Sequence, residues 1–439
     1  MFRTIHHTFA PLADGEQVRL ALSLFLHPRR WRETVSRETV RSELNRRCNG
    51  ETFLFASGRE ALAAFLSAFP HEPNDEVIVQ GYTCVVVPNA IVAAGFVPVF
   101  ADIEKATLNL DPTDVEKRIT PRTKAVICQH TFGIPAPVRA LRKICDRHGI
   151  LLIEDCAHVL PDAKGPEEVT NTGNVILMSF GRDKAVSGIT GGAVIVRNLQ
   201  HFDLAQCKPA TCNLQQLRSI EQHAADLPRG TIRRLLLYPL LYAIARPLYG
   251  LGIGKVFLWK ARLLRLLVPI VTTEEKHGKQ ALVFHKLPEP CATLVLAQFK
   301  KLAAFNDHRR SLVQCYLQAC AEHGWPVLHG IRSDLPLQKF PMFTKNARKI
   351  RTELKRQNIH LDDGWTGCVV CPASVDVDEA GYRKGSDPRA EEACEEILSL
   401  PTHPGTAMED AKRLIVALVP LLKRNNEQQI RVGSARHGG

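Results

Sequence analysis

The chain has 439 residues, of which 45% are hydrophobic and 23% charged, close to the usage of ordinary globular proteins. This composition excludes a disordered chain, a collagen-like chain and a polytopic membrane protein, and the length predicts two domains or one large domain with additions. The net charge is +12, but residues 227–273 alone contribute eight Lys and Arg side chains and no acidic residue. Because the basicity is local, it does not favour binding to nucleic acid.

The thirteen cysteines lie at irregular spacings in a chain too long to need a disulfide framework. One CxxC pair, Cys368 and Cys371, has no second pair to complete a metal site, so no metal is predicted. The short apolar run Leu20–Leu26 has no small-residue cleavage site after it and is assigned to an amphipathic helix. These features predict reduced thiols in a cytoplasmic protein.

In chain order, short apolar runs alternate with helical periods from residue 50 to residue 200. Near-continuous apolar strands separated by helices indicate an α/β fold with a mostly parallel sheet covered on both faces. Ligands gather at the carboxyl ends of the strands in such sheets. The predicted strands are Thr52–Phe55, Glu76–Gln80, Val97–Phe100, Ala125–His130, Ile150–Ile153, Val175–Phe180 and Ala193–Val196.

The remaining regions differ from this one in pattern and composition. Residues 1–50 are predicted to form a helical segment, and residues 310–424 a smaller C-terminal α+β domain. Between them lie the large domain (51–226), a basic hydrophobic insertion (227–283) and a connecting helix (284–309). The polar tail, 425–439, is predicted to be loose.

The insertion combines its cations with leucine and aromatic residues. Its longest charge-free run, Leu235–Ala245, is shorter than the about 20 residues needed to cross a bilayer. We therefore favour a basic amphipathic pair of helices, at 228–272, lying on an anionic membrane surface such as the inner face of the cytoplasmic membrane. A cationic hairpin packed on the protein or on a second subunit, and a true membrane span, are the alternatives.

Residues with useful chemistry fall where the predicted strands end. Asp155 and His158 follow the strand Ile150–Ile153. Ser179 lies at the end of the next strand, and Lys184 follows it. Two further strands lead to Ser57-Gly58, which opens a helix, and to Tyr82. The list of candidates is therefore Ser57, Gly58, Tyr82, Asp155, His158, Ser179 and Lys184.

This set of residue types suits pyridoxal phosphate. A lysine amine can form a Schiff base with the cofactor, and a carboxylate can keep the pyridine nitrogen protonated. Backbone N–H groups at a helix start can hold the phosphate, and an aromatic ring can cover the cofactor face. Taken singly, Lys184 fits a surface lysine, Asp155 a helix cap and Ser57 an ordinary N-cap. Together, in this order on successive strands, they favour the cofactor site.

From about Phe53 to Val419, interrupted by the insertion, the chain resembles the DegT/DnrJ-type (StrS-like) sugar aminotransferases, which are pyridoxal-phosphate enzymes of fold type I. The motifs that carry the resemblance occur in order along the chain. They are Ser57–Leu62, Asp75–Val79, Pro98–Ile103, Leu108–Pro112, Ile119–Val126, His130–Ala136, Ile153–His158, Ser179-Phe180 with Lys184 and Gly191-Gly192, and Leu398–Gly405.

The resemblance implies a role for each matching position. Lys184 would carry the cofactor, Asp155 would pair with its ring nitrogen, and His158 would lie near its hydroxyl group, unless His158 is a structural histidine at a strand end. Cofactor-binding positions on the same basis are Ser57, Gly58, Arg59, Tyr82 (stacked on the ring), Asp155, His158, Ser179 and Lys184. Where the family has an Asn that reaches the phosphate of the partner subunit, this chain has Phe284-His285-Lys286.

The resemblance also implies an activity. A homodimeric aminotransferase would move an amino group, from glutamate, to a nucleotide-linked or lipid-linked keto sugar during synthesis of surface polysaccharide or glycolipid. Two alternatives stay open from the residues. One is a membrane-associated enzyme with the same cofactor that dehydrates or forms carbon–carbon bonds. The other is a catalytically silent scaffold recruited to membranes.

Overall fold

The structure is a computed structural model that describes residues 4–7, 12–197 and 213–435. Strands are numbered in chain order. They are β1 (Ile5–His6), β2 (Gly50–Phe55), β3 (Glu76–Gln80), β4 (Thr83–Cys84), β5 (Val97–Ala101), β6 (Ile103–Glu104), β7 (Asn109–Leu110), β8 (Thr123–Gln129), β9 (Leu151–Asp155), β10 (Val175–Ser179), β11 (Gly192–Arg197), β12 (Lys339–Phe343), β13 (Ile359–His360), β14 (Val370–Cys371) and β15 (Ile397–Pro401).

The α-helices lie on both faces of the sheet and build the regions outside it. They are α1 (Gly15–Leu26), α2 (Val35–Cys48), α3 (Gly58–Ser67), α4 (Val86–Ala93), α5 (Pro112–Arg118), α6 (Val138–His148), α7 (Leu214–His223), α8 (Arg229–Leu248), α9 (Ile253–Leu263), α10 (Thr273–Lys276), α11 (Glu289–Phe299), α12 (Leu302–His323), α13 (Ala347–Arg356), α14 (Pro388–Glu396) and α15 (Met408–Ala435).

Seven strands form the central sheet in the order β2-β11-β10-β9-β8-β3-β5. All neighbours are parallel except β11, which runs antiparallel to both β2 and β10. Alternate residues of one strand join different cores, since Ile153 packs in one hydrophobic cluster and Leu152 in another. The prediction of a mostly parallel sheet covered on both faces is confirmed, and each of the seven predicted strands is present.

The first half of the insertion packs on the protein. Helix α8 runs along α1, and its residues Ile232, Leu235 and Leu236 are buried in the same hydrophobic cluster as Leu24 of α1. The alternative of packing on the protein therefore describes α8, and membrane association of the pair stays a prediction. Burial of its leucines against α1 places this helix inside the fold.

The second helix of the insertion, α9, is different. It buries Leu258 and Ala261 against α8 but exposes Val256, Trp259 and Leu263 on its outer face. Within the described ranges, no helix has both the length and the apolar character required to cross a bilayer.

A backbone contact closes the base of the insertion. Ala225 and His285, which flank it in the sequence, form a parallel β-bridge. The N–H of Ala225 donates to the carbonyl of Phe284 over 2.9 Å, and the N–H of Lys286 donates to the carbonyl of Ala225 over 2.9 Å. The chain thus leaves the large domain and returns to it at the same point.

The C-terminal region follows as two longer helices and a small α+β unit. The predicted connecting helix, 284–309, is two helices, α11 and α12, separated at Lys300 and Lys301. Strands β12 and β15 pair antiparallel, and β14 pairs with β4 beside the central sheet. The backbone of α15 continues to Ala435, so the tail predicted to be loose from residue 425 begins as helix; residues 436–439 lie outside the described part.

The packing of the insertion predicts that substitution of two of its leucines has different effects on stability. Leu236 is completely buried, whereas Leu264 is 68% exposed. Leu236→Ala should lower the free energy of unfolding by about 2–5 kcal/mol, because it removes buried methyl groups and leaves a cavity. Leu264→Ala is the matched control and should change it by less than about 0.5 kcal/mol. Urea denaturation measures both; equal effects would contradict the packing of α8.

Candidate active site

A cavity of about 930 Å³ opens at the carboxyl ends of the central strands. Asp155 ends β9 and Ser179 ends β10, and both line the cavity beside Lys184 and the start of α3. A volume of this size accommodates a cofactor together with a second small molecule. The site therefore lies where an open α/β sheet is expected to bind its ligands.

The start of α3 provides a cradle for an anion. Ser57 caps the helix, its hydroxyl oxygen accepting a hydrogen bond from the N–H of Glu60 over 3.3 Å. A Cβ on Gly192 would lie 2.2 Å from the backbone nitrogen of Gly58, so only glycine allows β11 to pass this close to the helix. A Cβ on Gly58 would lie 3.1 Å from the Cβ of Ser179. First-turn N–H groups without helical partners, at the positive end of the helix dipole, favour a phosphate here.

Asp155 is a buried carboxylate, and only one of its two oxygens accepts a hydrogen bond from a described residue. One carboxylate oxygen accepts a hydrogen bond from the N–H of Ala157 over 2.9 Å, and no described residue bonds the other. Burial raises the pKa of Asp155, although the Ala157 N–H and the nearby charges of Lys184 and His130 oppose the rise. A protonated ring nitrogen placed at the free oxygen would stabilise the ionised carboxylate.

His158 lines the cavity and also supports its wall. Its Nδ1 accepts a hydrogen bond from the N–H of Phe132 over 3.2 Å, and its ring stacks on Phe132 with centroids 5.8 Å apart. Burial, with the charges of Lys184 and Lys339, lowers the pKa of His158 well below its ordinary value. The ring is therefore neutral, with its proton on Nε2. The structural and the cofactor-contacting interpretations of His158 are compatible.

Tyr82 is not one of the residues that line the cavity. It is completely buried, and its hydroxyl donates a hydrogen bond to the carbonyl of Trp365 over 2.7 Å. Trp365, packed edge-on against Tyr82, faces the cavity instead, and so does Cys84 two residues further along the chain. The structure thus brings the other predicted residues together but places Tyr82 behind the wall.

Arg59 lines the cavity but is engaged by the end of the insertion. Its guanidinium forms an ion pair with Glu275 of α10 and donates a hydrogen bond to the carbonyl of Ile270 over 2.6 Å. Glu275 itself belongs to a capping box with Thr272 at the start of α10. Arg59 therefore connects the start of α3 to the insertion.

A buried ion pair in the C-terminal region was not predicted. The Lys339 ammonium lies 3.1 Å from the Asp363 carboxylate, and both side chains are almost fully buried. Burial alone would raise the pKa of Asp363, but Lys339, His7 and the N–H of Trp365 together lower it to about 2. The pair fixes the loop that carries Trp365. No local pattern reveals it, since the partners are distant from the motifs in sequence.

The insertion supplies a second wall that was not predicted. Arg234 and Tyr238 of α8 line the cavity, as do Arg262 of α9 and Arg265 just after it. The guanidinium of Arg182 lies 4.3 Å from the centre of the Tyr238 ring, which joins this wall to the turn that carries Lys184. The unusual composition of the insertion distinguishes it in the sequence. Nothing in the sequence indicates that it lies over the site.

The fold and the cavity are those of a fold-type-I α/β protein. The residues present fit pyridoxal phosphate, because a lysine, a buried carboxylate with a free oxygen and the start of a helix line the same cavity. The chain belongs to the DegT/DnrJ/EryC1/StrS aminotransferase family, whose model matches residues 49–212 and 270–419. Residues 213–269, most of the insertion, are not matched.

Individual relatives agree with this assignment. The chain is 39% identical over 140 residues to GDP-perosamine synthase of Vibrio cholerae, an alignment that covers 32% of the chain and 38% of that relative. It is 25% identical over 377 residues to UDP-N-acetyl-3-dehydro-alpha-D-glucosamine 3-aminotransferase of Acidithiobacillus ferrooxidans, covering 83% and 82% of the two. The structure of NtdA from Bacillus subtilis with bound cofactor PMP matches with a TM-score of 0.69 at 18% identity, covering 96% of the chain and 86% of that protein.

Proposed function

We propose that the protein is a pyridoxal-phosphate-dependent aminotransferase that transfers an amino group from glutamate to a keto sugar carried on a nucleotide or a lipid. The observation that carries the proposal is the convergence of Lys184, Asp155 and the start of α3 on one cavity. The names of two relatives, GDP-perosamine synthase and a UDP-linked 3-aminotransferase, support a sugar as the acceptor. Surface polysaccharide or glycolipid synthesis, the setting that the family resemblance implies, is part of the same proposal.

Each residue has a task in this proposal. When bound, pyridoxal phosphate supplies an electron sink for the carbon that loses a proton. The Nζ of Lys184 holds the cofactor and, once released, carries the proton between donor carbon and cofactor as a general acid and base. Asp155 keeps the ring nitrogen protonated, and the first turn of α3 holds the phosphate. Neutral His158 positions the cofactor through its ring.

The same proposal includes a homodimer, on the strength of the family resemblance. Lys286 forms a β-bridge with Phe55, next to Ser57 at the start of α3. It therefore lies in the part of the chain where the family places the Asn that reaches the partner subunit's phosphate. The lysine offers a positive charge in place of that amide.

Lys184→Ala should abolish the absorption band of cofactor bound through a lysine amine and reduce transamination by about 10³-fold or more. The matched control is Lys164→Ala, which removes an exposed lysine paired with Asp307 and should change neither. Absorbance and a coupled assay with glutamate, and with glutamine as a second donor, measure both properties. Turnover at the wild-type rate in Lys184→Ala would eliminate the mechanism.

The wild-type spectrum separates the alternatives. A band that bleaches on addition of glutamate supports the aminotransferase. A band that amino donors leave unchanged would indicate another chemistry with the same cofactor, and absence of bound cofactor would indicate a scaffold.

Asp155→Asn should leave the protein folded but lower the transamination rate by orders of magnitude, because a neutral pyridine ring is a poor electron sink. Asp378→Asn, at an exposed position outside the cavity, is the control for the same chemical change. Circular dichroism checks the fold and single-turnover kinetics the rate. A rate within a few-fold of wild type would remove Asp155 from its role.

We also propose that the outer face of α9 binds an anionic membrane surface. Its exposed apolar residues, Ile253, Val256, Trp259 and Leu263, continue into Leu264. Lys255 and Lys260 are exposed on the same helix. Each cation near an anionic leaflet contributes about 1 kcal/mol, and inserted apolar side chains add to this.

Flotation with anionic liposomes tests this face. The intact protein should float, less at high salt but still measurably, because the apolar contact is insensitive to salt. Replacing Val256, Trp259, Leu263 and Leu264 by serine should abolish flotation, whereas Leu282→Ser with Val283→Ser, exposed elsewhere, should not. Failure of the intact protein to float, or a change of oligomeric mass in the α9 variant, would refute the membrane assignment.

A further inference from the structure

The outer half of the cavity is lined by the insertion, most of which the family model does not match. Three arginines from this region face the space: Arg234 from α8, Arg262 from α9 and Arg265 after it. All three line the same cavity, although Arg234 is 28 residues from Arg262 in the sequence. The inner half, with Lys184 and Asp155, is the place assigned to the cofactor. The arginines are therefore placed to contact a second molecule.

The acidic groups of the cavity do not neutralise these arginines. Asp363 is paired with Lys339 over 3.1 Å, and Asp362 with Lys355 over 2.7 Å. Asp155 lies at the inner end. Asp183 lines the cavity beside Lys184, and Lys276 adds a further cation at the edge. In the described part of the chain, neither Arg262 nor Arg265 has a carboxylate within ion-pair distance.

Arg182 adds a fourth guanidinium to the same wall. It lies over the ring of Tyr238, and that ring packs against Tyr242 with centroids 4.7 Å apart. Among the described residues, Arg182 has no ion pair with a carboxylate. An aromatic face attracts a cation without cancelling its charge, so the guanidinium can still bind an anion. Asp183, the next residue, acts on Arg182 electrostatically without forming an ion pair with it. The wall thus combines aromatic rings with guanidinium groups that form no ion pair within the described part of the chain.

We propose that Arg182, Arg234, Arg262 and Arg265 form the binding site for the diphosphate that links the acceptor sugar to its carrier. The inference rests on the proposed function, since it assigns the acceptor of that reaction. Guanidinium groups bind phosphate oxygens in pairs of hydrogen bonds, which suits a diphosphate better than a single carboxylate. The sugar would extend inward to Lys184 and the carrier outward past the insertion.

Two carriers share this chemistry, a nucleoside and a lipid. The Tyr238 and Tyr242 rings could contact a nucleobase, and the apolar run Leu267–Val271, which also lines the cavity, could contact an isoprenoid chain. The test therefore uses a probe for each carrier and one probe without a carrier.

Calorimetric titration of the cofactor-loaded protein with uridine diphosphate, farnesyl diphosphate and inorganic pyrophosphate tests the site. At least one carrier-linked probe should bind, and Arg262→Gln with Arg265→Gln should weaken its binding by about tenfold or more, as expected for charge-assisted bonds lost. The matched control, Arg229→Gln with Arg233→Gln, removes two exposed charges of the same insertion that do not line the cavity. It should leave binding unchanged.

Several outcomes decide between the possibilities. Tighter binding of uridine diphosphate or of farnesyl diphosphate supports the site and identifies the carrier. Absence of binding by all three probes, or an equal loss in the control, overturns it. Should the double variant not fold, the single variants Arg262→Gln and Arg265→Gln, both at exposed positions, replace it, and probe binding that neither variant weakens overturns the site.

The reaction with glutamate distinguishes failure of the proposed function from failure of the diphosphate site. Bleaching of the cofactor band by glutamate in the wild-type protein tests the aminotransferase without any acceptor. If bleaching occurs and no probe binds, the diphosphate site fails alone. If probe binding depends on the arginines but no bleaching occurs, the proposed function fails and the anion site stands.

Discussion

One buried carboxylate, Glu154, holds together three segments of the chain next to Asp155. It accepts hydrogen bonds from the ring of His130 at the end of β8, over 3.1 Å, and from the N–H groups of Thr170 and Thr172 over 2.9 and 2.8 Å. Burial alone would raise the pKa of Glu154, but these donors, with Gly173, lower it and keep the group charged. The carboxylate thus holds the end of β9 against the turn that leads into β10. Asp155, the next residue, is fixed by the same contacts.

Residues whose position follows from the local pattern were predictable from the sequence. Lys184 and Asp155 each follow a buried apolar strand, and the carboxyl ends of parallel strands share one edge of a sheet. Ser57 precedes a helix at a position where serine is the usual cap. Such inferences need only the limits of each apolar strand and the identity of the residue that follows it. They were sufficient for the sheet and for the inner half of the cavity.

The outer half could not be predicted, since it depends on contacts between distant parts of the chain. Trp365 reaches the cavity because β14 pairs with β4 and because Asp363 is held by Lys339. Tyr82 follows a strand as Lys184 does, yet Trp365 covers it. For the insertion, composition indicated an amphipathic surface, but the choice between a membrane and the protein depended on whether α1 offered an apolar face to α8.

The β-bridge between Ala225 and His285 has a consequence for the history of such a chain. Because the two ends of the insertion are already paired, the segment between them closes a loop whose cost grows only slowly with its length. Helix α9, which packs on α8 and not on the sheet, can therefore be lengthened or exchanged while the sheet and Lys184 stay in place. On the proposed function, changes confined to this outer helix would alter the wall that faces the acceptor and leave Lys184 and Asp155 where they are.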